Sequence, residues 1–126
     1  MARRIFCVPA AALVLAIAVP ARAGDASTGA AVFRAECAEC HSMKEGRHKK
    51  GPSLHAIVGR PAASISGVEY SEALRVSGWR WGAATLRRYL SQPTSKANPG
   101  SKMKYEGLAD AKALDDLLAY LAAGGN

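Results

Sequence analysis

ECAECHSM, residues 36–43, sets Cys37 and Cys40 two residues apart with His41 directly after the second cysteine. Three chemistries use such a pair: a redox disulfide, half of a zinc site, and covalent attachment of haem. The rest of the chain decides among them. A thioredoxin-like pair belongs between a strand and a helix, and no stretch near residue 37 has the alternation of a strand. A zinc site would have to recruit His48 and His55, giving C-x2-C-x7-H-x6-H, which fits no common structural spacing and leaves His41 unused. Haem attachment uses all three residues: two thioethers from Cys37 and Cys40, with the His41 imidazole as an axial ligand of the iron. The motif reads as a haem tether.

The N-terminus supports that reading. MARRIFCVPAAALVLAIAVPARA has a charged start at Arg3 and Arg4, an apolar run, and Ala21-Arg22-Ala23 at its close. This is the pattern of a secretory signal cleaved after residue 23. The unbroken apolar stretch is short for a membrane span and contains Pro9, so no stable insertion is expected after cleavage. Cys7 would leave with the signal, so only Cys37 and Cys40 remain in the exported chain. In an oxidising compartment a pair usually forms a structural disulfide. A loop this short would constrain the unfolded chain only weakly, however, so stapling explains the pair poorly.

Residues 24–126 then form one small domain. Loss of Arg3, Arg4 and Arg22 takes 17 basic residues to 14 against 10 acidic ones, lowering the net charge from +7 to +4. That mild balance suits an acidic protein partner. It forms no basic stripe with interleaved aromatics, which excludes nucleic acid as the natural partner.

Three helices are predicted. The first runs from about Ala26 to Glu36, capped by Asp25 or Ser27. WGAATLRRYL puts Leu86, Tyr89 and Leu90 on one face and stops before Pro93. The third, from about Ala109 to Ala122, repeats Leu114, Leu117, Leu118 and Leu121 at helical spacing. Between them KEGRHKKGPSLHAIVGRPAASISGVEY and SQPTSKANPGSKMKYEGL read as loops. The class is all-α with long loops, and loops of that length need something inside to organise them. A buried haem would do so.

The iron also needs a sixth ligand or a vacancy. Met43 is two residues from His41 and belongs to the same side. Met103, in NPGSKMKY, stands between lysines with no apolar run to join, which favours a ligand over a core filler. Imidazole and thioether together favour ferrous iron and leave no open position, as an electron carrier requires.

On these motifs, with GDASTGAAVFRAECAECH, GRHKKGPSLHAIVGR, WGAATLRRYLSQP, NPGSKM and LLAYL, the chain resembles class I cytochrome c, the family of mitochondrial cytochrome c and its bacterial periplasmic relatives. The likeness spans Gly24 to Leu121 with about one gap near Glu45–Arg47. It implies a small cytochrome c fold of three to five helices around one covalent haem c, with Cys37 and Cys40 on the vinyl groups and His41 and Met103 on the iron. It also implies that the Pro52 carbonyl accepts the other ring N–H of His41, and that Arg60, Tyr70 and Trp81 surround a haem propionate. Tyr89 would lie near the Met103 sulfur. Gly29 and Phe33 would pack on Leu117 and Tyr120, leaving His48 and His55 as structural and surface histidines.

Glu36 and Thr94 stand where mitochondrial members carry docking lysines, and Ala30, Ala31 and Asp110 replace other basic positions, while Lys49, Lys96 and Lys102 remain. Leu74 replaces a polar residue that holds internal water near the methionine. The function implied is non-enzymatic transfer of one electron in the periplasm by a monomer that meets redox protein partners with acidic docking surfaces. Two other readings fit the residues. One is a haem-bearing subunit of a periplasmic oxidoreductase; the other is a haem enzyme or gas sensor with an open sixth position.

Overall fold

A computed structural model describes residues 23–125. The expected signal segment, Cys7 included, lies outside the described residues apart from Ala23. Among those described there are five helices and no strand: α1 (Ala26–Glu36), α2 (Glu72–Arg75), α3 (Ala83–Leu90), α4 (Thr94–Ala97) and α5 (Ala111–Ala122). Among the described residues the only sheet-like pairing is an isolated bridge between Pro61 and Arg80. None of the described helices is long and apolar enough to cross a membrane.

Asp25 is the residue that caps α1, its side chain accepting the Thr28 N–H at 2.7 Å. Asp110 caps α5 in the same way through Ala113, which starts that helix two residues later than its apolar repeat suggested. The two helices cross closely because the crossing contains glycine. A Cβ on Gly29 would stand 1.9 Å from the Asp116 carbonyl oxygen, and one on Gly24 1.9 Å from that of Asp115. Phe33 meets Tyr120 with ring centroids 5.4 Å apart, and Leu117 is completely buried beneath them. The packing inferred for Gly29, Phe33, Leu117 and Tyr120 is therefore present. Asp116, also buried, accepts the Asp25 N–H at 2.7 Å and pairs with Lys112 at 2.6 Å, which satisfies its charge inside the crossing.

α3 lays Leu86, Tyr89 and Leu90 into the core, and Arg87 reaches Asp115 of α5 at 2.5 Å. Two points of the sequence reading are corrected. SQPTSKANPGSKMKYEGL is not loop throughout, because Thr94–Ala97 form α4 behind Pro93; a single turn is too short to show periodicity. Thr94 is also not a rim position. It is wholly buried, its N–H donates to the Tyr105 carbonyl at 2.8 Å, and its hydroxyl has no hydrogen-bond partner among the described residues.

Candidate haem site

The tether motif begins where α1 ends. The Cys37 and Ala38 N–H groups both donate to the Phe33 carbonyl, and His41 N–H donates to the Cys37 carbonyl at 2.9 Å. Successive turns thus hold both thiols and the imidazole to one short arc. Cys37 and Cys40 are free thiols, both half-buried. Burial, and then the nearby Glu36 and Cys40, push the Cys37 thiol up to about 12. Among the described residues no three His, Cys, Asp or Glu side chains gather as a zinc site would require.

His41 is buried, and its Nδ1 bonds the Pro52 carbonyl at 2.7 Å. A carbonyl can only accept, so Nδ1 carries a proton, and in the neutral ring Nε2 keeps its lone pair. Burial draws the imidazole below its ordinary value, more than the Pro52 bond raises it. The ring is neutral, as an iron ligand must be. Gly51 lies directly against it: a Cβ there would sit 2.4 Å from His41 Cε1. Only glycine lets the backbone approach the ring so closely while Gly51 N–H donates to the Cys40 carbonyl at 2.8 Å.

Cys37, Cys40, His41 and Met103 all line one cleft of about 800 Å³. That volume falls within the range of roughly 300–1,000 Å³ typical of cofactor sites. Its apolar wall comes from four segments and includes Ile57, Leu74, Leu86, Leu90 and Leu121. The fit to a tethered planar macrocycle rests on this donor set: two thiols and a neutral imidazole on one arc, a thioether in the same cleft, and a glycine cradle behind the imidazole.

Met103 is half-buried and packs against the core. The segment carrying it is pinned on both sides, by Thr94 N–H to the Tyr105 carbonyl and by Leu108 N–H to the Leu90 carbonyl at 2.7 Å. Arg60, Tyr70 and Trp81, which the resemblance assigns to a haem propionate, line the same cleft. The Arg60 guanidinium is anchored on the carbonyls of His55 at 2.9 Å and Ser53 at 3.0 Å. The Trp81 ring stands edge-on to Tyr89 at 5.1 Å. His48 and His55 are exposed; the His48 Nδ1 accepts the Ser53 N–H at 3.0 Å, so its role is structural. Asn98, buried and also lining the cleft, escaped the sequence reading. An asparagine before Pro-Gly reads as a turn residue, and nothing local signals that its side chain turns inward.

A small helical domain that closes its loops around a two-thiol, one-imidazole cleft defines a class: proteins that tether c-type haem. Comparison with known sequences makes this specific. The family Cytochrome c matches residues 26–124. A cytochrome c of Gibberella zeae is 43% identical over 99 residues, spanning 78% of this chain and 92% of that protein. A cytochrome c of Nigella damascena is 39% identical over 102 residues (80% and 91%), and a cytochrome c2 of Rhodoplanes tepidamans is 42% identical over 102 residues (80% and 94%). The chain belongs to the cytochrome c family. It is therefore a haem-based electron-transfer protein whose cofactor is covalent haem c with its iron, and redox partners are implied.

Proposed function

We propose that this chain is a one-electron carrier of the periplasm, exported by residues 1–23. Its single haem is held through Cys37 and Cys40, with His41 and Met103 as iron ligands. The observation that carries the ligand set is the His41–Pro52 bond at 2.7 Å, which assigns the proton of the neutral ring to Nδ1 and its lone pair to Nε2, while His41 and Met103 line the same cleft. When bound, the haem supplies the iron that cycles between ferric and ferrous; the protein makes and breaks no bonds of a substrate. The chain's own part is to exclude water with the apolar wall, fix the imidazole through Pro52 and Gly51, and present the soft sulfur of Met103.

Partner docking would use the cleft rim, where Lys49, Lys50, Lys102 and Lys104 stand with Glu36, Glu39 and Glu69. Lys50 pairs with Glu39 and Lys102 with Glu69, so the positive face is weaker than its lysines alone suggest. Such a face steers an acidic partner without holding it tightly, which suits a monomeric shuttle.

Met103→Ala tests the ligand set. The variant is expected to keep its covalent haem, show a substantially lower reduction potential and bind carbon monoxide. An unchanged potential with no new ligand binding would show that Met103 is not the sixth ligand. The intact mass of the protein from a periplasmic fraction tests the export reading: it should equal residues 24–126 plus one haem.

A further inference from the structure

Asn98 is only 3% exposed, although Lys96, Pro99 and Gly100 around it are exposed. Its carboxamide joins three segments: Ser71, the cap of α2; Tyr89, on α3; and the loop that reaches Met103 five residues later. Ser71, Tyr89, Asn98 and Met103 all line the cleft. The direction of each bond follows from one end. The Ser71 hydroxyl oxygen accepts the Leu74 N–H at 3.1 Å, and its own hydrogen donates to Asn98 Oδ1. With Oδ1 accepting, Nδ2 donates to the Tyr89 hydroxyl oxygen at 3.2 Å. Tyr89 is thus an acceptor toward Asn98, and its own proton must point elsewhere.

We infer that Asn98 is a positioning residue for the redox centre. It relays the polarity of the α2 cap to Tyr89, so that the Tyr89 O–H turns its positive end into the cleft and raises the reduction potential of the iron bound there. The inference rests on the haem reading above. Its physics is electrostatic: the ferric state carries one more positive charge than the ferrous state, so the positive end of a dipole facing the cleft disfavours it. In a water-poor cleft such a dipole acts with little screening, and hydrogen bonding around a haem is one of the protein's levers on its potential. Leu74, on the same wall, has no polar group that could orient Tyr89.

The test is a double-mutant cycle on the haem-loaded protein with Asn98→Leu, Tyr89→Phe and the double variant, all of unchanged formal charge. Midpoint potential is the readout, and the weak far-red band of the ferric protein monitors sulfur ligation. Each single variant is expected to lower the potential, and Asn98→Leu to add nothing once Tyr89 is Phe. A shift from Asn98→Leu that is equal in both backgrounds, or absent from the wild-type background, overturns the role of Asn98 while leaving the site reading intact. Loss of the far-red band in the wild type would instead overturn the ligand set, and this inference with it. Should Asn98→Leu fail to take up haem, Ser71→Ala puts the same question from the other end of the relay. Its potential must fall, and only when Tyr89 is present.

Discussion

Where α1 crosses α5, a Cβ on Gly29 would stand 1.9 Å from a backbone oxygen; in the segment from Lys44 to Tyr70, a Cβ on Gly46, Gly59 or Gly67 would meet nothing within 4 Å. The crossing is filled by the chain itself, with Leu117 at 0% exposure and Phe33 at 5%. The long segment has no helix and turns through positive φ at three glycines and also at Ala56 and Ala63. Its order comes from tying back to neighbours, as when Trp81 N–H donates to the Arg60 carbonyl at 2.9 Å and Leu54 N–H to that of Ser42 at 2.8 Å. Much of its apolar surface, Leu54 and Ile57 included, lines the cleft. One half of the molecule is held by chain against chain, while the other lines the cleft that a haem would fill.

The largest effect expected follows from that division. Cys37→Ala/Cys40→Ala removes the tether and leaves the apolar cleft to water. Backbone NMR of this variant should show order lost throughout residues 44–82, with at most a fluctuating α1–α5 pair, since isolated helices of this length are marginal. Slow amide exchange persisting at Gly59, Ala62 and Trp81 would show that the loop half stands without haem and would break the comparison.

Gly29→Ala attacks the other half and is expected to be the next largest. Alanine favours a helix by about 1 kcal/mol over glycine. The added Cβ forces two backbones apart, and overpacking of this kind costs up to about 3 kcal/mol. The net loss, read from urea unfolding of the haem-loaded protein, should be about 2 kcal/mol. A gain in stability would mean that the crossing is looser than its geometry.

The same division governs what could be read from the sequence. α1 was legible from its cap at Asp25, and α3 and α5 because their apolar residues repeat at helical spacing. Cys37, Cys40 and His41 were legible because haem attachment is local in sequence, and the structure gathers them with Met103 in one cleft. What escaped lacks any local signature. α2 and α4 are single turns, Thr94 is a polar residue buried by tertiary packing, and Asn98 finds partners 27 and 9 residues away. In the cleft wall a residue's role depends on the other segments that meet it, which periodicity cannot report.

Acid separates the halves more gently. The Asp25 N–H and the Lys112 ammonium hold the Asp116 carboxyl below its ordinary value of 3.8. Folding therefore favours the ionised form. This contribution is complete above the unfolded value, and it disappears as pH falls through the lower folded value. Asp116→Asn abolishes it, so the stability gap between wild type and variant should be widest near pH 7 and narrow steadily below pH 4. Urea midpoints at the two ends measure it. A gap independent of pH would mean that the carboxylate's charge contributes nothing to the crossing.

The smallest effects concern the backbone of the loop half, where the comparison can be sharpened by sign. Gly46 has φ +66° and Ala56 φ +49°, and both are exposed. A non-glycine residue in this left-handed region costs roughly 1–2 kcal/mol, while replacing glycine by alanine gains about 0.4–1 kcal/mol by restricting the unfolded chain. Gly46→Ala meets no neighbour, so these two quantities alone decide it, and a loss of up to about 1.5 kcal/mol is expected. Ala56→Gly runs the same balance backwards and should stabilise by a similar small amount. Opposite signs of near-equal size in urea unfolding would mean that the loop's strain is purely local, carried residue by residue rather than shared with the cleft. If Ala56→Gly instead destabilises, the methyl group of Ala56 has a packing role, and this part of the loop is held by chain against chain after all.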